Sequence, residues 1–236
     1  MTDDAKPTPK ADDYRVAVGA ARRKKMRERI LQSTMKAVAK VPGDAHVTVE
    51  DILVAGEISR GTFYNHFTSA DEAVSSVGGM LADEFSESVF RLRGGIDSPP
   101  HHIAVADHLF LIRAVIEPAW GAYVVRSANQ DLLKGESMAK ALQMGLDSGD
   151  FKFTHLRNAI DFLSGSIWAA TRRIIRTKNV DTAYICDLQT MILRGLGVNP
   201  SAVGPIMEYT LQYVRDRGPE LGWWRDIDKV ARGKRK

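Results

Sequence analysis

The chain has 236 residues, 44% of them hydrophobic and 26% charged, enough to bury a sizeable core as one large or two modest domains. No run reaches the ~18 uninterrupted apolar residues of a membrane-spanning helix. The longest apolar run, residues 109–125, is broken by Arg113, Glu117 and Pro118. The formal charge of +4 is modest but unevenly placed: residues 22–68 hold nine Lys/Arg and five Asp/Glu, 9 − 5 = +4, so the rest of the chain sums to zero. That basic concentration is the electrostatic footprint expected for a polyanion partner, although a solvated helix start has the same composition.

In chain order, residues 1–21 mix Pro, Asp, Lys and Ala without apolar period and are expected to form a flexible arm. The opening "MTDDAKPTPKADDY" lacks the apolar core of a secretion signal, and the single cysteine, Cys186, excludes an internal disulfide. Both point to a cytoplasmic protein. From Arg22 the pattern turns helical, with Met26, Ile30, Thr34, Ala37, Val38 and Val41 at three- and four-residue steps until Pro42-Gly43. A second helix starts at Thr48, a good N-cap with Asp51 three residues on, and reaches about Ala55. Gly56-Glu57 makes a turn. Ser59 then caps a third helix whose Phe63 and Phe67, four residues apart, face inward.

A tight turn between a second and third helix is the helix-turn-helix pattern, in which the later helix enters the DNA major groove. With Phe63 and Phe67 inside, Arg60, Thr62, Tyr64, Asn65 and His66 lie on or near the outer face. Guanidinium, hydroxyl and amide groups are those that pair with phosphates and base edges.

A fourth helix is expected from about Ser69 toward Arg91. The run 101–127 is apolar-periodic, and Pro118 should kink or split it. "ANQDLLKGES" is expected as a connection and "MAKALQMGL" as a helix. Further helices are expected over 154–176, 182–196 and 205–217, before Trp223-Trp224 and the basic tail "ARGKRK". The tail either assists DNA binding or, the favoured reading, is a disordered solubilising segment. No strand is expected, so the fold class is all-α.

Residues 26–75 resemble the N-terminal domain of TetR-family transcriptional repressors. The resemblance rests on Arg27/Arg29/Ile30/Leu31, on Thr48/Val49/Ile52 and on Ser59/Phe63/Tyr64/His66/Phe67, without insertion or deletion. It extends weakly into "ALQMGLDSGDFKFTHLRNAIDFLSGSIWAATRRI". Two departures stand out. The family's Ala-Gly-Val turn is Gly56-Glu57-Ile58 here, which places Glu57 where the unusual dihedrals fall; and the family's lysine at the start of helix four is Ala70.

The resemblance implies a helix-turn-helix DNA-binding domain at 22–68, a helical effector-binding and dimerisation domain at 69–228 and a basic tail at 229–236. It implies that Thr48, Tyr64 and His66 hold the phosphate backbone, while Ser59, Arg60, Gly61, Thr62 and Asn65 face the groove. Arg60 is the first choice for base reading, and Arg22, Arg23, Lys24 and Lys25 would add contacts from the arm. Homodimerisation through helices 154–176 and 182–196 follows from the same resemblance. So does an effector cavity among the helices between 101 and 177, with Phe110, Arg113, Glu117, Trp120, Tyr123, Phe162 and Trp168 as candidate lining groups. Aromatic stripes at helical spacing are more often plain core than pocket wall, and each of these residues is open to that reading.

His101, His102 and His108 suggest no metal, since no carboxylate or cysteine spacing supports them, and no cofactor is expected. Enzyme motifs are missing too: there is no Gly-rich phosphate loop, no Gly-x-Ser-x-Gly and no His-Glu-x-x-His. The sequence therefore points to a DNA-binding regulator, a repressor released from a palindromic operator by a small hydrophobic or aromatic effector. The alternative is an architectural, effector-independent DNA binder.

Overall fold

Helix ends in this chain are set by local chemistry. In the computed structural model, which describes residues 11–41, 45–92, 94–96, 98–126, 136–177 and 180–229, ten α-helices appear and no strand among those residues. They are α1 (Ala11–Lys40), α2 (Val49–Gly56), α3 (Arg60–Tyr64), α4 (Ala70–Leu92) and α5 (Pro99–Ile116). The remaining five are α6 (Pro118–Arg126), α7 (Glu136–Asp147), α8 (Leu156–Thr177), α9 (Thr182–Gly195) and α10 (Pro200–Arg217). The first ten residues of the expected arm, the Pro42-Gly43 stop, residues 128–135 of the expected connection and residues 230–236 of the tail lie outside the described residues.

The short helices are held by their caps. Thr48 accepts a hydrogen bond from the Asp51 backbone N–H at 3.2 Å, and the Asp51 carboxylate takes the Thr48 N–H at 2.9 Å, closing a capping box. The hydroxyl and backbone N–H of Thr48 together hold the Asp51 carboxyl below the usual carboxylate range. Ser59 caps α3 through the Thr62 N–H at 3.1 Å. At the start of α4, Thr68 donates both its hydroxyl and its N–H to Glu72 at 2.6 Å. Pro118 splits the central apolar run: it has no N–H to donate, and it drives Glu117 out of helical geometry, to φ −117° and ψ 79°.

Three elements differ from the sequence expectation: α3 ends at Tyr64 and leaves Phe67 just beyond it, and two helices open earlier than expected. The first helix opens at Ala11, so residues 11–21 continue α1 instead of forming an arm. Four of these eleven residues are alanine, which favours helix, but no apolar stripe marks the stretch, and residues 16–21 are mostly exposed. The last helix opens at Pro200 rather than Pro205; Asn199 caps it, Pro200 sits in the first turn, where its missing N–H costs nothing, and Pro205 is carried inside the helix.

The first core is small. Ile30 of α1, Ile52 of α2, Phe63 of α3 and Phe67 just beyond it are all closed to solvent. α1 also packs on α4 and α6. In the larger unit α5 is the central helix, touching α4, α6, α7, α8, α9 and α10, and nearly all of its faces are buried. A polar pair lies within this core: His108 Nδ1 meets the Gln189 amide oxygen at 2.6 Å, while the Gln189 amide donates to the Ala104 carbonyl at 2.5 Å. The second bond orients the Gln189 oxygen as acceptor, so Nδ1 carries the proton. Burial pushes the His108 pKa down, which keeps the ring neutral.

The turn between α2 and α3 holds the only left-handed non-glycine residue among those described, Glu57, at φ 50°. The adjacent glycine cannot relieve it, because Gly56 serves a different need. A Cβ at position 56 would run into the Ser33 hydroxyl and the Ile58 side chain, so the end of α2 lies against α1 only if position 56 is bare. The two requirements fall on adjacent residues, and a strained glutamate is the result. Glu57→Gly should therefore raise stability by about 1 kcal/mol, whereas Gly56→Ala should lower it by about 1–3 kcal/mol. Chemical denaturation of both variants checks the opposite signs.

Candidate nucleic-acid interface and ligand cavity

With Phe63 and Phe67 buried, the rest of α3 is turned outward. Tyr64 is about half exposed, its ring edge-on to Phe63 with centroids 5.5 Å apart. Ser59, Arg60, Gly61 and Asn65 are exposed, and Thr62 and His66 partly so. Gly61 has open space around it, so nothing intramolecular requires a bare position there. Arg60 reaches back to α2, pairing with Glu50 at 2.8 Å, both side chains well solvated. Such an exposed pair contributes little and yields readily to a competing acceptor.

The structure separates the remaining candidates for this face. Thr48 uses its hydroxyl and its N–H on the Asp51 cap, so it presents no unengaged donor. Arg22, Arg23, Lys24 and Lys25 are all exposed on α1. Successive helical side chains turn by about 100°, so four in a row cannot share one surface. Arg23 and Lys24 line a surface groove with Asn65 and His66, alongside α3; Arg22 and Lys25 do not. Arg27, absent from the sequence-based set, stacks over Phe67 at 4.7 Å and donates to Ser76 at 3.3 Å, tying α1 to the α3 end and to α4.

A second site is a cavity of about 90 Å³ lined by residues of α4, α5, α7 and α8. Phe85, Val89, Ile103, Ala106, Phe110, Met138 and Ile167 form its apolar wall. Asp107, His102, Ser164, Ser86 and Ser137 supply the polar groups. Asp107 is half-buried, and desolvation holds its carboxyl well above the usual carboxylate range.

Of the seven candidate lining groups, only Phe110 reaches this cavity. Trp120 and Tyr123 are fully buried packing groups. The Tyr123 hydroxyl donates to the Val74 carbonyl of α4 at 2.6 Å. Phe162 lies on the outer surface of α8 over Gly195 of α9, and Trp168 faces outer grooves beside Arg172. Arg113 is buried, bonded to Glu84 of α4 at 2.8 Å and to Glu117 at 3.2 Å. Its guanidinium also lies between the Trp120 and Trp223 rings, at 5.3 and 5.2 Å. Arg113 and Glu117 thus form a structural clamp between α4 and α5, outside the cavity.

Neither a family model nor a curated protein matches the chain. Solved structures do. RolR, crystallised with resorcinol, is 21% identical, covering 80% of this chain and 95% of its own, with a TM-score of 0.61. A gamma-butyrolactone receptor (ArpA-like protein) is 11% identical over 83% of this chain and 99% of its own, with a TM-score of 0.60. A TetR-family transcriptional regulator from Pectobacterium atrosepticum is 20% identical over 76% of this chain and 98% of its own, with a TM-score of 0.54. The chain has the TetR-regulator fold. The likeness spans both units, so the short helices of the TetR-like N-terminal unit and the helices around the cavity belong to one shared architecture.

The cavity's polar residues escaped the sequence reading, although one signal was present. Asp107 stands in "HHIAVADHLFLI", a helix apolar on nearly every side, with Ile103 four residues before it and Leu111 four after. An acid in such a helix is either paired or aimed at a void.

Among the described residues no helix is long and apolar enough to cross a membrane, and no cluster of His, Cys, Asp and Glu has the makings of a metal site. His101 stacks edge-on with Tyr209 at 4.6 Å, and His108 is engaged with Gln189.

The Arg113 clamp yields a direct test. Arg113→Ala removes the ion pairs and both ring contacts but leaves Glu84 and Glu117 partly solvated, so the loss should be about 2–4 kcal/mol. Arg113→Met, which retains packing volume, should lose less. Thermal and urea unfolding of the two variants measures the difference.

Proposed function

We propose that the protein is a DNA-binding transcriptional regulator that works as a homodimer and is released from a palindromic operator by a small molecule in the α4–α5–α7–α8 cavity. The observation that carries the reading is the outward face of α3, where Arg60, Tyr64 and Asn65 are exposed by the burial of Phe63 and Phe67. In the helix-turn-helix geometry, two such helices enter successive major grooves about 34–36 Å apart. Arg60 leaves Glu50 to reach a base edge, Tyr64 and His66 hold phosphates, and Ser59, Gly61, Thr62 and Asn65 fill the groove wall. Arg23 and Lys24 add phosphate contacts beside them, with Arg22 and Lys25 contributing to the general field.

A second copy is the partner that best fits the outer face of α8 and α9. Phe162 and Met191 are exposed there, and Gly165 and Ala169 leave room for close helix approach. The apolar residues that are already buried inside the subunit, among them Leu163, Ile167, Ile185 and Ile192, are not available to that contact.

The resorcinol-bound RolR structure and the gamma-butyrolactone receptor favour a small-molecule effector for this fold. Here the physical route would be α4. Phe85 and Val89 of α4 wall the cavity, and Ala73 and Val77, nearer its start, are buried in the core. A ligand that pushes the wall outward shifts α4 and changes the spacing of the two α3 helices. It does so only if it binds the DNA-free arrangement more tightly.

Gel-retardation titrations test the reading. Tyr64→Ala should weaken binding to every duplex alike. Arg60→Ala should relax preference at one operator position by about 1–3 kcal/mol. Arg23→Gln and Lys24→Gln should each reduce the salt slope by about one, and Arg22→Gln by less. Unchanged operator affinity and salt slope in all five variants would end the assignment.

A further inference from the structure

The cavity's carboxyl has no lysine or arginine to balance it among the described residues lining the cavity. Asp107 projects into it from α5, and no hydrogen bond or ion pair from the described residues reaches that carboxyl. Ser164, across on α8, donates its hydroxyl hydrogen to the Ile160 carbonyl at 2.7 Å, so it meets a ligand as an acceptor. A carboxyl and a committed hydroxyl, with the Ser86 and Ser137 hydroxyls and the His102 ring as the other polar groups, are set in a wall of Phe85, Phe110 and Ile167 without lysine or arginine. A half-buried carboxyl against an apolar wall gains from a hydrogen-bond partner, and here a ligand can bring one.

The volume limits the ligand's size. At about 90 Å³ the cavity is smaller than the roughly 150 Å³ hole that accommodates benzene, so a single ring enters with a modest outward shift of the walls. An anionic ligand is disfavoured on the same page. It would bring a negative charge into a largely apolar space that offers no guanidinium or ammonium to compensate it.

We infer that this cavity takes a small, non-anionic molecule with an apolar body of about one ring and an O–H or N–H donor, delivered to Asp107, and that it rejects carboxylates. The inference rests on the reading of the cavity as the effector site but concerns binding alone. Phenols and alcohols would donate a neutral hydrogen bond, and amines a charge-assisted one to the carboxylate. Both satisfy the same acceptor.

The test uses the full-length protein and four ring-sized probes: phenol, benzylamine, benzoate and toluene. Calorimetric titration and thermal shift should show phenol or benzylamine, or both, binding at least tenfold more tightly than benzoate and toluene. The relative strength of phenol and benzylamine separates neutral from cationic donors. Asp107→Asn should cost benzylamine at least tenfold while sparing part of the phenol affinity, because an amide oxygen still accepts. Asp107→Leu should abolish the preference for donors over toluene.

Folding does not confound these variants. A carboxyl whose folded pKa is raised destabilises the protein above its unfolded value of about 4, increasingly as pH rises. Unliganded Asp107→Asn should therefore melt no lower than the wild type at about pH 8. Benzoate binding as tightly as the donors, wild-type affinities in both Asp107 variants, or no binding by any probe would overturn the inference. Operator release is scored separately by gel retardation. Donors that bind without releasing DNA would refute the regulatory mechanism and leave the ligand class intact, whereas release by carboxylates alone would do the reverse.

Discussion

Phe63 and Phe67, one helical turn apart and both shut away from water, determine where every other side chain of α3 points. The helix is too short to hold itself together by backbone hydrogen bonds, since isolated helices need about 12–15 residues even for marginal stability. It exists because two aromatic rings are pressed into the core containing Ile30 and Ile52, and because Ser59 fixes its first turn. Burial of one side compels exposure of the other, and the exposed side carries Arg60, Tyr64 and Asn65. The strain at Glu57 belongs to the same constraint: the turn must bring α3 onto α1 and α2 at close range, and Gly56 is already committed to that approach.

The second unit is tied to the first through α4 and α6. Tyr123 on α6 holds the Val74 carbonyl of α4, and Arg126 on α6 holds the Val38 carbonyl of α1 at 2.8 Å. Arg113 on α5 grips Glu84, one residue before the cavity-lining Phe85. A change in cavity volume would therefore meet a helix fixed at several points along its length. Packed interfaces of this kind resist smooth deformation and move between discrete arrangements, which is how a small displacement at a cavity can become a change in domain spacing.

What could be read from the sequence follows from where the information is local. The α2 and α3 boundaries were legible because Thr48, Asp51 and Ser59 act within four residues of themselves, and the Glu57 strain because the glycine lies one place early. The start of α1 was not legible: residues 11–21 lack an apolar stripe, and periodicity is silent where little is buried. The lining of the cavity was only partly legible, for a related reason. Aromatic side chains at helical spacing mark packing and pocket walls alike, so Trp120, Tyr123 and Arg113 looked like lining groups until their neighbours were seen. Asp107 carried the opposite signal, an acid where every helical neighbour is apolar, but only the void beside it gives that acid a purpose.

The outward face of α3 is the claim on which the functional account rests, and photocrosslinking tests it most directly. With a benzophenone side chain at position 64, the protein should crosslink to duplex genomic fragments at low salt; with the same group at position 208, exposed on α10 away from the proposed DNA and dimer faces, it should not. Equal crosslinking from the two positions, or none from position 64, would contradict the account.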